Sequence, residues 1–192
     1  MSARFSPNPL LSLMFLVVAM FLAGCGSNPP LTRSTEAPPV YLLAPGDSVK
    51  VTVFGEESLS GDHVVTAEGD ISLPLLGDVP VAGKSLSQVR SVIVDKLSPD
   101  YLADPRVSVE VLNYRPIYVL GEVENAGEYK YSANLTATQA IALAGGYTYR
   151  ADRGRVFIRR SYDGAERTFE LSTERPVWIM PGDTIRVGER YF

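Results

Sequence analysis

The chain reads as an α+β protein of two small domains in tandem, each a mostly antiparallel or mixed sheet with one capped helix. Three observations lead there. Short runs such as Val49-Lys-Val-Thr-Val53 and Val107-Ser-Val-Glu-Val111 alternate apolar and polar residues, the period of a strand buried on one face. Ser85-Leu-Ser-Gln88 and Thr136-Ala-Thr-Gln139 have the form of capping boxes, in which a hydroxyl accepts from the third helical amide and a glutamine reaches back. The phrase Pro-Gly-Asp occurs at 45–47 and again at 181–183, each time ahead of an alternating strand. With 192 residues, 45% of them hydrophobic, the chain has room for one globular unit or two small ones.

Charge and composition exclude several classes of function. The formal net charge is -4, with lysine and arginine scattered, so there is no concentrated basic face of the kind nucleic acid requires. A single cysteine and a single histidine exclude a disulfide framework within one chain and the usual four-ligand zinc site. Neither half carries a cofactor fingerprint, and no cofactor is expected.

The cysteine explains itself by its place. Residues 1–24 contain Arg4 and then a run of about 13 apolar residues from Leu10 to Leu22, the length of an export signal and short of a membrane span. Leu22-Ala23-Gly24-Cys25 resembles the lipobox of bacterial lipoproteins, which makes Cys25 the lipidation site and tethers the mature chain to a membrane. By resemblance to the lipoprotein sorting rule, Gly26 implies delivery to the outer membrane. Residues 25–39, rich in proline and polar side chains, read as a leash.

The first folded segment is expected over 40–114. Pro45-Gly46 suits the centre of a type II turn, and a strand follows. Residues 55–61 read as a solvated loop. From Val64 to Gly83, turn residues at Gly69-Asp70, Pro74 and Gly77-Asp78 break up short strands, with Val65, Ile71, Leu73, Leu75, Val79 and Val81 as candidate core. After Ser85 the apolar stripe Leu86, Val89, Val92, Ile93 and Leu97 predicts a helix that Pro99 closes, with Arg90 and Lys96 outside.

The second folded segment is expected over 115–192. Residues 117–131 form two strand-like halves around Asn125-Ala126-Gly127. Thr136 starts a short helix through Ala140, Ile141, Leu143 and Ala144 that Gly145-Gly146 ends. Val156–Arg160 and Arg167–Leu171 flank the turn Tyr162-Asp163-Gly164, and a last strand covers Ile185-Arg-Val187.

Taken together, "APGD", "EGDISLPLLGDVPVAGKSLSQV" and "DPRVSVEV" resemble the export motif of the outer-membrane polysaccharide export (Wza-like) family. "VLGEVENAGEY" and "MPGDTIRV" are similar to the soluble-ligand-binding β-grasp (SLBB) domain of the same proteins. The resemblance implies a polysaccharide-export domain followed by one SLBB domain. Long members carry two such domains and a C-terminal helix that builds the outer-membrane pore; no amphipathic segment follows Val187, so no C-terminal transmembrane helix is expected. It further implies a non-enzymatic, lipid-anchored component of capsule or exopolysaccharide export that forms a ring through which polymer passes. Implied partners are further copies of the chain, an inner-membrane polysaccharide co-polymerase or tyrosine kinase, a separate outer-membrane β-barrel, and the polysaccharide itself. A monomeric saccharide-binding sensor or adaptor lipoprotein is the alternative, and a polysaccharide-modifying enzyme a third class.

Candidate site residues carry competing readings. Asp47 and Asp183 stabilise their turns or form the carboxylate pair of a glycoside-cleaving site. His63, with Ser60 and Asp62 nearby, does not have the spacing of a catalytic triad. Trp178, among Val177, Ile179 and Met180, reads as core, with a subunit contact or sugar-facing wall as the alternative. Arg153, Arg155, Arg159 and Arg160 read as a solvated strand face or as a contact for polymer or an acidic partner edge. Tyr191-Phe192 resembles the end of an outer-membrane barrel strand, but no series of lipid-facing strands precedes it.

Overall fold

Residues 31–32, 37–98, 100–172 and 174–190 are described in the computed structural model. The expectations for residues 1–24, Cys25, Pro99 and Tyr191-Phe192 fall outside them. In chain order the strands are β1 (Leu31–Thr32), β2 (Ser48–Val53), β3 (Gly61–Val64), β4 (Asp70–Leu73), β5 (Gly77–Pro80), β6 (Val107–Asn113), β7 (Ile117–Gly121), β8 (Gly127–Tyr129), β9 (Ala151–Arg159), β10 (Glu166–Glu170) and β11 (Thr184–Glu189). The helices are α1 (Leu86–Leu97) and α2 (Ala137–Leu143).

Two hydrophobic cores result. The first is built on β2, the middle strand of an antiparallel sheet in the order β3-β2-β6. Its alternation is realised, with Val49, Val51 and Val53 buried and Lys50 exposed. The hairpin β4-β5 sets Ile71 opposite Val79, both fully buried. Helix α1 adds Val89, Ile93 and Leu97, one residue per turn on one face. Its capping box forms as the sequence predicts, Gln88 N donating to Ser85 Oγ at 3.3 Å and Ser85 N to Gln88 Oε1 at 2.8 Å.

The second core lies under a six-stranded mixed sheet in the order β1-β10-β9-β11-β7-β8. β9 pairs antiparallel with both β10 and β11, whereas β11 runs parallel to β7. Val156, Ile158, Ile185, Val187, Ile117 and Val119 face inward against Ala137, Ala140 and Ile141 of α2. The α2 capping box, between Thr136 and Gln139, also forms.

Three local expectations are corrected. Leu75 is not core: it sits at the tip of the β4-β5 connection with φ at 64° and is 65% exposed. The chain reverses through a left-handed residue there, which turns the side chain outward, and Leu76 packs against the core instead. The loop over 55–61 contains a 3-10 turn, Glu57–Leu59, because Leu59 finds a place in the first core. Among the described residues of the expected leash, Leu31 and Thr32 pair in parallel with Thr168 and Phe169 of β10. An open strand edge offers main-chain donors and acceptors that an extended polar segment can satisfy without burying apolar side chains.

Candidate functional site

The two Pro-Gly-Asp phrases build the same device twice. In each, the aspartate amide donates to the carbonyl three residues back, Asp47 to Ala44 and Asp183 to Met180, both at 3.1 Å. The central glycines, Gly46 at φ +92° and Gly182 at φ +84°, take the positive φ that a type II turn demands. Both carboxylates are fully buried. Asp47 Oδ2 accepts from the Ala44 amide at 2.8 Å and from the Tyr41 hydroxyl, while its Oδ1 accepts from Arg115 Nε at 3.2 Å. Asp183 Oδ2 accepts from the Met180 amide at 2.8 Å and from Arg160 Nη1.

A buried charge needs a partner, and each aspartate has taken one arginine out of its surroundings. Turn stabilisation is therefore what both carboxylates perform. Burial pushes the Asp183 carboxyl above the usual carboxylate range, against the pull of Arg160. Burial, with Asp47 beside it, pushes the Tyr41 hydroxyl well above the ordinary phenol range.

The turns face a groove between the two cores. Its volume is about 720 Å³, and Leu42, Pro45, Ala82, Arg115, Arg160 and Tyr162 are among its walls. Arg115 lies between β6 and β7 and reaches both sides, holding Asp47 and donating through Nη1 to Ser161 Oγ at 3.4 Å. Ser161 Oγ in turn donates to the Pro181 carbonyl at 3.3 Å.

A smaller aromatic pocket of about 150 Å³ adjoins the groove, sharing Pro39, Tyr41 and Met180 with it. Tyr41, Tyr114, Tyr131 and Trp178 wall it. Tyr114 stands edge-on to both Tyr41 and Tyr131, with ring centroids 5.1 and 5.2 Å apart. Trp178 is not core. Val177 and Ile179 on either side are buried, so the strand-like alternation turns the indole the other way, half-exposed, into this pocket.

The arginine run does not act as one patch. Arg160 turns inward to Asp183, donates through Nη2 to the Trp178 carbonyl at 3.0 Å, and lies over Phe169 at 5.5 Å. Arg155 pairs with Asp152 at 2.9 Å. Arg153 is exposed and stacks over Tyr147, 5.7 Å from the ring centroid. Arg159 is exposed on β9, in register with Glu166 and Thr184.

The residues around His63 do not converge either. Ser60 Oγ accepts from the Val53 amide at 2.9 Å and donates to the Glu56 carbonyl at 3.0 Å, so its hydroxyl serves the backbone. His63 and Asp62 are adjacent on β3 and point to opposite faces. Sequence reasoning missed Tyr41, Tyr114, Tyr131 and Arg115 altogether, since no spacing connects them. For Trp178 the signal was present in the alternation of Val177 and Ile179.

Comparison with known proteins agrees with this architecture. Residues 35–112 match the family model described as polysaccharide biosynthesis/export protein, and residues 116–170 match the SLBB domain. The exopolysaccharide production protein ExoF of Rhizobium meliloti (strain 1021) is 38% identical over 157 residues, 76% of this chain and 36% of that protein. The EPS I polysaccharide export outer membrane protein EpsA of Ralstonia nicotianae is 31% identical over 163 residues, 79% of this chain and 42% of that protein. The polysialic acid transport protein KpsD of Escherichia coli is 34% identical over 110 residues, 56% of this chain and 20% of that protein. The chain thus spans less than half the length of these relatives. Among the described residues no helix is long and apolar enough to cross a membrane. With an export domain followed by one SLBB domain, the chain belongs to the polysaccharide biosynthesis/export family.

Proposed function

We propose that this chain is a non-enzymatic component of an outer-membrane export system for capsular or extracellular polysaccharide, anchored by a lipid on Cys25 and facing the periplasm. Residues 40–114 and 115–192 are its working domains, and several copies form a ring around the path of the polymer, with an inner-membrane co-polymerase docking below. The observation that carries this reading is the ordered pair of family matches, export domain then SLBB domain. The geometry is compatible with it: each buried carboxylate is committed to a turn.

Head-to-tail contacts between identical subunits close into rings when the rotation allows. Exposed apolar residues near the helix ends and the Gly145-Gly146 loop are the candidates for such contacts, notably Tyr101, Leu143 and Tyr149, which is 86% exposed.

Deleting the gene in its host tests the reading. Polymer should still be made but retained in the periplasm, and unchanged secretion would overturn it. Cys25→Ser should fold and lose its fractionation with the outer membrane; a variant that stays there rules out the lipid as the main tether. The aromatic pocket favours one second reading, a monomeric saccharide-binding sensor or adaptor. Light scattering at high concentration separates a ring from a monomer.

A further inference from the structure

We infer that the pocket walled by Tyr41, Tyr114, Tyr131 and Trp178 is a subsite for one pyranose ring of an uncharged saccharide; that the ligand is a polymer in transit rests on the export reading above. Its four aromatic side chains come from places far apart in the chain: ahead of β2, between β6 and β7, after β8 and ahead of β11. All four are half-buried rather than sealed into either core.

The rings are held before any ligand arrives. Tyr41 is fixed at its hydroxyl by Asp47, and Tyr114 is wedged edge-on between Tyr41 and Tyr131. Ordering them in advance lowers the entropy lost on binding.

The chemistry of the wall selects the ligand. A pyranose ring presents faces of C–H groups with partial positive charge and a rim of hydroxyls. Aromatic faces carry the negative side of a quadrupole and suit the C–H faces. The rim hydroxyls need hydrogen-bonding partners or water, which Asn134 at the pocket and the open groove beside it supply.

Size and charge narrow the choice further. About 150 Å³ is enough for one ring and small against the roughly 300–1,000 Å³ of pockets for drug-sized ligands. Neighbouring units of a chain find space in the adjoining groove. None of the residues lining the pocket is charged, and the two guanidinium groups at the groove are already matched by Asp47 and Asp183. A carboxylated ring would lose hydration there with no free cation to offset the loss.

Trp178 is the sole tryptophan of the sequence, so its emission reports on this wall alone. The detergent-solubilised full chain is titrated with cellohexaose, maltohexaose, mannohexaose and the acidic hexagalacturonate. At least one neutral hexasaccharide should change the emission saturably, and hexagalacturonate should bind at least tenfold more weakly. Tyr114→Ala should weaken neutral-saccharide binding about tenfold, the loss of one aromatic contact. Phe54→Ala, which removes an exposed aromatic outside the pocket, should leave binding unchanged.

Should Tyr114→Ala not fold, Tyr114→Leu keeps an apolar side chain without the aromatic face and gives the same readout. The inference is overturned if no neutral hexasaccharide alters the emission, if hexagalacturonate binds as tightly, or if the Tyr114 variant binds like the parent. Gene deletion that blocks secretion without any such binding removes the subsite and leaves the export reading. Binding in a chain whose deletion leaves secretion intact does the reverse.

Discussion

The turns at Ala44–Asp47 and Met180–Asp183 share a sequence phrase, a backbone shape and a buried carboxylate, yet they serve different ends because their arginines come from different places. Asp183 draws Arg160 from the end of its own sheet, 23 residues away. Asp47 draws Arg115 from the junction between the cores, 68 residues away, and Arg115 continues to Ser161 on the other side. The second turn locks one half internally, whereas the first fastens the two halves to each other. A duplicated local motif thus acquires distinct roles through non-local partners.

Removing a carboxylate separates the two turns most strongly. Asp183→Ala leaves Arg160, only 12% exposed, without its counter-charge and should cost about 3–5 kcal/mol in urea unfolding. Asp47→Ala should cost less, about 2–3 kcal/mol, since Arg115 at 22% exposure can turn toward water. It should also raise hydrogen exchange at the junction between the halves, which Asp183→Ala should leave closer to the parent. Equal costs and equal exchange patterns would abolish the distinction.

The two glycines differ as well. A Cβ on Gly182 meets Arg115 Nη1 at 3.0 Å and Ser161 Cβ at 3.1 Å, whereas one on Gly46 finds nothing nearer than Arg115 Cγ at 3.8 Å. Alanine pays for positive φ at both, so Gly182→Ala should cost about 2 kcal/mol and Gly46→Ala about 1 kcal/mol. Tyr41→Phe, which removes one hydrogen bond to Asp47, should cost about 1 kcal/mol and has no counterpart at the second turn.

The smallest effect is on pH dependence. Burial raises the Asp183 carboxyl, so the folded state holds this proton more readily than the unfolded state. The stability gained from holding this proton is then greatest below the ordinary carboxylate range and is lost as pH rises through the raised value, while the turn hydrogen bond and the Arg160 pair remain. Comparing stability curves of the parent and Asp183→Asn should show this falling contribution in the parent alone. A rising contribution would mean that the Arg160 pair outweighs burial.

What could be read from sequence was what local chemistry decides. Ser85 with Gln88 and Thr136 with Gln139 specify their caps within four residues, and both boxes form. The valines of β2 specify a buried face by alternation alone. Pro-Gly-Asp was legible as a turn, but the arginine completing each one depends on folds of the chain that no short spacing records. The same limit hid the aromatic pocket, whose walls meet only after both halves have formed. Arg153 to Arg160 looked like one basic run because sequence adjacency conceals that Arg160 points inward while its neighbours stay at the surface. Leu75 was misplaced because hydrophobicity says nothing about a left-handed φ at a loop tip.

The six-stranded sheet ends in β1, two residues long, and β8, three residues long. Borders so brief give an approaching backbone few rungs to join, which discourages stacking of copies by strand addition. At this sheet a contact with another chain is therefore left to side chains rather than to the main-chain ladder, whereas the outer edge of β6, seven residues long, stays open to strand addition.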